Sequence, residues 1–268
     1  MKTKAVMTLD RLLSRYGAAS RTTAREMIKA GRVRVNGSVQ RDPEHWVNRA
    51  RDNVQLDGRP LRPERKTYLL FYKPKGVIVS HGDPGGRKTI YDYLGGSLGQ
   101  EGRPREAAGA SRPWRTMAET AMPQRGWLSP VGRLDKDTSG LLLLTNDTEF
   151  AHFVTNPQSS VTKTYLVKVS GLMDDATVAR LQGGVRMKRG DEASPISARR
   201  IEDRGKYTWL EVVLTEGKNR EVRRMIEAVG FKVLKLVRTA IGSLTLSGLE
   251  VGKWRTLSSA EVAGLRRQ

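Results

Sequence analysis

The sequence predicts an α+β protein in which a small α/β domain precedes a larger domain built on a mixed sheet. Beyond residue 66, strand-like segments outnumber helical ones and show no regular alternation of strand and helix, which is typical of an α+β fold. A charged, proline-bearing link over residues 59–66 separates the two parts. We therefore expect one domain over residues 7–62 and a second over residues 67–265.

The first domain carries the signals of two short helices followed by a hairpin. Apolar residues at helical spacing predict the first helix, and Gly17 suits its C-terminal end. Ser20 is placed to cap a second helix, which Gly31 would end. Asn36-Gly37 is a hairpin turn between alternating segments, and residues 54–58 predict a further strand and turn.

The second domain is predicted mainly from strand-like runs. These lie at residues 67–72, 141–145, 163–169, 208–214, 233–237 and 241–246. One helix is predicted over residues 220–229, with its apolar residues at positions i, i+3, i+4 and i+7. Residues near 96–126 are rich in Gly, Ala, Pro, Ser and Arg, a composition that cannot easily bury a core, so we expect a flexible insertion there.

The charge is the most unusual property of the composition. The chain has 48 Lys and Arg against 28 Asp and Glu, a formal net charge of +20. An excess of this size attracts polyanions, among which nucleic acid is the commonest partner and an anionic membrane is the alternative. No run of about 18 apolar residues is present to span a bilayer and no signal peptide is predicted, so we expect a cytoplasmic protein.

Nearly half of the excess positive charge lies in the first quarter of the chain. Up to residue 66 there are 16 Lys and Arg and 7 Asp and Glu. Solvated helix faces would explain such a run, but the same sign persists through the strand that follows. We therefore predict contacts with nucleic-acid phosphates from a set of basic side chains, namely Arg15, Arg21, Arg25, Lys29 and Arg32.

Several kinds of active site are excluded or disfavoured by composition. Cysteine is absent, which excludes disulfides and thiolate metal sites. The three histidines are too scattered to indicate a zinc site or a Ser-His-Asp site. Any chemistry must therefore use carboxylate, hydroxyl, amine or guanidinium groups.

The most informative stretch is residues 131–147. Two glycines, alternating charges and small hydroxyl residues precede an apolar strand, the layout of a loop that presents polar groups at the edge of a sheet. From the residues alone, Asp135 and Asp137 are each equally well explained as turn residues that bind backbone amides.

Five motifs in order resemble those of the pseudouridine synthases that modify ribosomal RNA. Gly132-Arg-Leu-Asp135 followed by Thr138-Ser-Gly-Leu is similar to the catalytic motif of that family. The other similar motifs are Tyr72-Lys-Pro-Lys-Gly-Val77, Lys163-Thr-Tyr165, Glu216-Gly-Lys-Asn-Arg-Glu-Val-Arg-Arg-Met225 and Leu236-Val-Arg-Thr-Ala-Ile-Gly242. Residues 9–56 resemble the small RNA-binding domain first recognised in ribosomal protein S-four.

The resemblance implies a mainly antiparallel sheet and a role for each of several residues. Asp135, and not Asp137, is the catalytic carboxylate, and Tyr165 stacks on the target base. Arg223 is the basic residue paired with the aspartate. Arg133 supports the loop or contacts a phosphate, and Leu236 packs beneath the site.

The implied reaction breaks the N1–C1′ bond of a uridine and rejoins the base through C5. The carboxylate acts either as a nucleophile at C1′ or as a base that removes a ribose proton, and the sequence leaves both routes open. Neither route requires a metal or an organic cofactor, so we expect none.

The expected substrate is a stem-loop of ribosomal RNA, and the large subunit is favoured over the small one by the resemblance. We expect the protein to act as a monomer. Two other classes remain as alternatives: a non-catalytic ribosome-assembly protein, and an RNA methyltransferase carrying the same first domain. The methyltransferase would need a Gly-rich cofactor turn after a strand, and no convincing one is found.

Overall fold

A computed structural model describes residues 6–80, 83–94, 128–187 and 192–267. The insertion predicted near residues 96–126 lies outside the described residues. The chain forms two compact units. The first contains residues 6–68 together with Leu144–Phe150, and the second contains most of the remainder. No helix within these ranges is both long and apolar enough to cross a membrane.

The first unit begins with two short helices and a small antiparallel sheet. Its elements are β1 (Val6–Thr8), α1 (Leu9–Arg15), α2 (Arg21–Lys29), β2 (Val33–Val35), β3 (Ser38–Gln40), β4 (Trp46–Asn48), β5 (Val54–Leu56) and β6 (Arg59–Pro60). The strands pair in the order β3-β2-β5-β6, while β1 pairs with β4. Apolar side chains from both helices and from β2 and β5 form the core, among them Leu9, Leu12, Leu13, Ala24, Ile28, Val33 and Val54.

The local signals in this unit act as the sequence predicts. Ser20 caps α2, because its hydroxyl accepts a hydrogen bond from the backbone N–H of Thr23 at 3.1 Å. Gly17 follows α1 with a φ of +80° and Gly31 follows α2 with a φ of +77°, a left-handed conformation that costs glycine little. The predicted hairpin joins β2 and β3.

Beyond residue 67 the chain builds a nine-stranded sheet with helices packed against it. The elements are β7 (Tyr68–Lys73), α3 (Ile90–Leu94), β8 (Ser129–Pro130), β9 (Ser139–Thr145), α4 (Thr148–Thr155), β10 (Lys163–Ser170), α5 (Asp175–Gln182), β11 (Val185–Arg186), β12 (Glu192–Ala193), β13 (Ser197–Arg204), β14 (Tyr207–Leu214), α6 (Glu221–Ala228), β15 (Val233–Ile241), β16 (Leu244–Thr245), β17 (Trp254–Thr256) and α7 (Ser259–Arg266).

The sheet is mixed and mainly antiparallel, which confirms the predicted α+β class. Seven of its strands follow the order β13-β14-β10-β15-β9-β7-β17, while β16 pairs with β15 and β8 pairs with β9. The pairs β13·β14, β14·β10, β10·β15 and β7·β17 are antiparallel, whereas β15 and β9 run parallel. This topology places β9, which follows the Asp135 loop, beside β15 near the centre of the sheet.

Helix α6 packs on the sheet through the apolar face predicted from its spacing. Val222, Met225, Ile226 and Val229 are buried in one cluster with side chains of β10, β14 and β15. Fully burying such a side chain stabilises the fold by about 1.5–3 kcal/mol. Truncating Ile226 to Ala would cost about 2–5 kcal/mol, because a cavity would remain beneath the helix.

Two sequence predictions in this unit are wrong in detail. Residues 233–237 and 241–246 were expected to form separate strands, but β15 runs unbroken from Val233 to Ile241 and β16 is a short return. The apparent break came from Arg238, a charged residue that is nevertheless buried. Helices α3, α4, α5 and α7 and strands β8, β11, β12, β13 and β17 were not predicted. Strand β13 has exposed charged residues and therefore lacks a clear apolar alternation.

Candidate active site

The Asp135 loop, here residues 131–138, forms one wall of a cavity of about 360 Å³ in the second unit. The other walls come from β10, β15 and the start of α6. Four residues predicted for the site line this cavity, namely Arg133, Asp135, Tyr165 and Leu236. Asp135 is partly exposed, so its carboxylate is accessible to a bound molecule.

Lys73 fixes the Asp135 loop by hydrogen bonds to backbone carbonyls. Its ammonium group is fully buried and donates to three backbone carbonyls: Thr138 at 2.8 Å, Pro74 at 3.0 Å and Asp135 at 3.1 Å. Burial lowers the pKa of Lys73 to about 8, and the carboxylates of Asp135 and Asp137 oppose that shift. At neutral pH the group therefore keeps its charge and holds both ends of the turn that carries Asp135.

Two further donors hold the middle of the loop. The backbone N–H of Gly76 donates to the carbonyl of Lys136 at 2.8 Å. From α6, Arg223 Nη2 donates to the carbonyl of Asp137 at 2.9 Å. Each carbonyl from residue 135 to residue 138 thus accepts a hydrogen bond, and the loop is fixed through its backbone without engaging the carboxylate of Asp135.

Gly140 allows β9 to approach β15 closely. Its φ is +117°, and a Cβ there would lie 2.3 Å from the carbonyl oxygen and 2.5 Å from the nitrogen of Arg238. No side chain fits such a contact with backbone atoms, so only glycine is compatible with this spacing. The glycine of the Thr138-Ser-Gly140 motif therefore has a structural reason to be there.

Two arginines at or near the start of α6 approach the Asp135 loop in ways that the sequence did not predict. Arg223 was expected to pair with the carboxylate of Asp135, but its hydrogen bonds go to the carbonyls of Asp137 and Val233. Arg220, to which no role was assigned from the sequence, lines the cavity, and its Nη1 lies 3.7 Å from Asp135 Oδ2. Arg220 is the N-cap residue of α6 with a φ of 49°, so helical periodicity does not predict the direction of its side chain.

Tyr165 lies on β10, directly opposite Arg238 of β15. It is buried to 8% exposure and lines the cavity. A β-bulge between Thr164 and Tyr165 shifts the register of the β10·β15 pair. The bulge adds a residue to β15, so Ile241 lines the same cavity as Arg238 although the two are three positions apart.

Two buried cations in the cavity were not singled out from the sequence. Lys163 is 7% exposed and Arg238 is 5% exposed, and both line the cavity with Asp135. The alternation of a β-strand could have predicted the position of Lys163, because residues two apart on β10 lie on the same face and Lys163 is two residues before Tyr165. Arg238 follows from the same rule, since it lies two residues after Leu236.

Glu221 is a further carboxyl group on the cavity wall and is 3% exposed. Burial raises the pKa of Glu221, and the neighbouring carboxyl of Glu216 raises it further. The backbone N–H of Lys218 donates to Glu221 Oε2 at 2.9 Å. Glu221 therefore carries less negative charge near neutral pH than an exposed glutamate would.

In the first unit, most of the basic residues predicted to contact phosphates have acidic partners. Arg21 and Arg25 both bind the buried carboxylate of Asp10, at 3.0 Å and 2.9 Å. Arg32 forms two hydrogen bonds with Asp57, at 2.9 Å and 2.6 Å.

The remaining two predicted residues of that unit differ from each other. Arg15 pairs with Glu149. Lys29 is exposed, and within the described ranges no acidic partner is found for its side chain. The prediction that these five residues contact phosphates stays a prediction, and Lys29 is the one whose charge is not already balanced.

Comparison with known proteins relates this geometry to a family. The sequence pattern of the family described as RNA pseudouridylate synthase matches residues 67–228, and that of the S4 domain matches residues 7–49. A protein of Bacillus subtilis named ribosomal large subunit pseudouridine synthase B is 37% identical over 260 residues, covering 96% of this chain and 95% of that protein. The Escherichia coli K12 protein of the same name is 33% identical, covering 96% and 81%.

A further relative and a solved structure agree with these matches. An uncharacterized RNA pseudouridine synthase of Aquifex aeolicus is 37% identical over 258 residues, covering 96% of this chain and 92% of the relative. A solved structure described as pseudouridylate synthase has a TM-score of 0.60 and 26% identity, covering 97% of this chain and 99% of that one. The resemblance inferred from the five motifs is thereby confirmed: the chain belongs to the RNA pseudouridylate synthase family.

Proposed function

We propose that this protein isomerises a uridine of large-subunit ribosomal RNA to pseudouridine, with Asp135 as the catalytic carboxylate. The observation that carries the proposal is the cavity itself, which brings Asp135 and Tyr165 together beside buried cations. The names of the relatives from Bacillus subtilis and Escherichia coli support the large subunit as the source of the RNA.

The proposed division of labour follows the two matches. Residues 7–62 bind RNA as a small domain, and residues 67–265 carry out the chemistry. A uridine must leave the helical stack to enter a cavity of this size, so the target is a base in a splayed loop held by contacts to its backbone. We further propose that the protein acts as a monomer.

Within the cavity, each proposed role follows from position. Asp135 has an accessible carboxylate on a loop held through its backbone, so it attacks C1′ or removes a ribose proton without first reorganising. Tyr165 offers its ring to the base, a stacking contact of about 1–3 kcal/mol. Leu236 supports the floor, and Arg133 is exposed at the rim, where it contacts a phosphate. Arg223 positions Asp135 through the carbonyl of Asp137.

The test offers protein-free large- and small-subunit ribosomal RNA separately, each tritiated at uridine C5. Isomerisation exchanges the C5 proton, so the expected result is release of tritium from large-subunit RNA without any added cofactor. Mapping the new pseudouridine then locates the target. Modification confined to small-subunit RNA or to transfer RNA would contradict the choice of substrate, and no release from any RNA would contradict the proposed activity.

A further inference from the structure

We propose that Arg238, with Lys163 beside it, binds the detached uracil base and stabilises the negative charge that it carries between bond cleavage and bond formation. This proposal rests on the function proposed above. It assigns a catalytic role to two residues that lie within the motifs but to which the resemblance gives no role.

Arg238 has hydrogen-bonding capacity that the protein itself does not use. Its Nε donates to the carbonyl of Leu141 at 2.7 Å, which fixes the guanidinium group. Its Nη2 is buried and has no hydrogen-bond partner in the described part of the chain. Burying a charged donor without a partner is costly, so such groups occur mainly where they have a function. Arg238 also lines the cavity that contains Asp135.

Lys163 adds a second positive charge to the same floor. Its Nζ donates to the carbonyls of Val161 and Thr215, both at 2.8 Å, which leaves its third N–H for another acceptor. Burial, followed by the charge of Arg238, lowers the pKa of Lys163 to about 8, so the group still carries its proton at neutral pH. Both cations are held by carbonyl groups, and their charges are therefore not cancelled.

The reaction produces an anion in this cavity whichever route Asp135 takes. When the N1–C1′ bond breaks, its electron pair goes to the base, and uracil carries a negative charge spread over N1, O2 and O4. The base must then turn until C5 faces C1′ while staying in the cavity. Recombination forms the C5–C1′ bond, C5 loses a proton and N1 gains one, so no other reactant is consumed.

A fixed cation suits this intermediate better than a set of directional hydrogen bonds does. The attraction between a cation and an anion depends little on how the anion is oriented, so Arg238 and Lys163 stabilise the base while it turns. Directional hydrogen bonds to one orientation of the base would instead resist the turn. Positioned donors and charges of this kind are worth about 10²–10³-fold in rate. Since Arg238 lies directly opposite Tyr165 in the sheet, the cation and the stacking ring act on the same bound base.

A purely structural role for Arg238 is the alternative, because its bond to Leu141 ties β15 to β9. The two roles differ in one measurable respect. A structural residue affects every substrate equally, whereas a residue that stabilises the departing anion matters less when the base is a better leaving group. Fluorine at C5 withdraws electrons and makes uracil such a leaving group.

The experiment measures cleavage of the N1–C1′ bond under single-turnover conditions with saturating full-length enzyme. Substrate RNAs carry uridine or 5-fluorouridine at the target position, and digestion to nucleosides followed by chromatography gives the loss of the N1-linked nucleoside. For Arg238→Gln we expect a loss of about 10²–10³-fold on uridine. On 5-fluorouridine we expect a loss at least about tenfold smaller, and we expect Arg238→Lys to recover part of the rate.

Lys163→Gln provides the second variant, because it removes the charge and keeps N–H donors on a side chain that is one bond shorter. It should show the same dependence on fluorine with a smaller total loss, even if Arg238→Gln fails to fold as judged by thermal unfolding. Arg199→Gln removes one charge from the exposed edge strand β13 and should leave both rates unchanged. Equal fold losses on the two RNAs for the folded variants would overturn the proposal. Failure of the wild-type enzyme to convert uridine would instead contradict the proposed function.

Discussion

The two units of the protein hold their arginines and lysines in different ways. In the first unit, arginines mostly pair with carboxylates, as Arg21 and Arg25 do with Asp10 and Arg32 does with Asp57. In and next to the cavity, four buried cations instead donate to backbone carbonyls and form no ion pair within the described ranges, namely Lys73, Lys163, Arg223 and Arg238.

The difference has an electrostatic consequence. A carboxylate partner fixes a cation and cancels its charge, whereas a carbonyl fixes the cation and leaves most of its charge in place. The first arrangement stabilises two helices and a turn without creating a strong local field. The second creates a rigid, positively charged surface around the accessible carboxylate of Asp135, which suits a reaction that passes through an anion.

The largest effect is expected from removing that carboxylate. Asp135→Asn keeps the size of the side chain but takes away its charge, so we expect turnover to fall by at least about 10⁴-fold. RNA affinity should change little. Asp137→Asn is the matched control, because that residue contributes its carbonyl rather than its carboxylate to the hydrogen bond with Arg223. Comparable activity in the two variants, measured by tritium release, would refute the assignment.

The next effect concerns the carbonyl-bonded cations. Lys73→Met removes the donor for three backbone carbonyls, so we expect the free energy of unfolding to fall by about 2–4 kcal/mol in denaturant titrations. The rate should fall more than RNA affinity does, because the Asp135 loop loses its support. Lys75→Met, an exposed change in the same segment, should alter neither quantity. A stable Lys73→Met enzyme with normal kinetics would mean that the loop does not need this tie.

A smaller effect is expected from a carboxylate-bonded pair. Burial acts to raise the pKa of Asp10, but hydrogen bonds from Thr8, Arg25 and Arg21 outweigh it and lower the pKa to about 2. Because the pKa is depressed on folding, the stabilisation is present above the ordinary value of 3.8 and disappears as the pH falls toward 2.

Asp10→Asn tests that interaction. It should lower the stability of the first unit by about 1–3 kcal/mol at pH 7, with the difference from wild type shrinking below pH 4. Amide hydrogen exchange in α1 and α2 reports on this unit by itself. A difference that stays constant from pH 7 to pH 2.5 would show that the charge of Asp10 is not the source of the stabilisation.

The smallest expected effect distinguishes cations that pair with a carboxylate from cations that do not, by their contribution to RNA binding. Lys29→Gln should reduce the slope of log K against log salt by about 0.7–0.9, the value for one lost phosphate contact. Arg32→Gln should reduce it less, because Arg32 already binds Asp57. Equal changes in the two slopes would indicate that Arg32 leaves Asp57 for a phosphate when RNA binds.

Sequence patterns predicted those parts of the fold that depend on local signals. Ser20, Gly17 and Gly31 mark helix ends by the conformations and hydrogen bonds that their own residues favour, and the structure has them in those roles. The apolar face of α6 followed from its spacing. Strand β13 did not, because an exposed edge strand with charges on both faces leaves no alternation to detect.

The sequence motifs predicted which residues belong to the candidate site, but they did not predict the hydrogen-bond and ion-pair partners of those residues. Asp135 and Tyr165 share a cavity as the resemblance implied, yet the partner of each arginine depends on loop geometry that spacing does not encode. Arg220, for example, approaches Asp135 from the position before α6, where its own backbone is left-handed. The burial of Lys73 could not be foreseen from a Lys-Pro-Lys-Gly turn, where a lysine would ordinarily be exposed.

The contact at Gly140 determines which sequences this active site tolerates. Even alanine at this position would push β9 away from β15, and these two strands carry the attachment of the Asp135 loop and the buried Arg238. In a saturation-mutagenesis experiment, position 140 should therefore be as intolerant as position 135, although it contributes no functional group. A residue without a side chain would thus be scored as essential to catalysis, because it sets the distance between the strand that follows the Asp135 loop and the strand that carries Arg238.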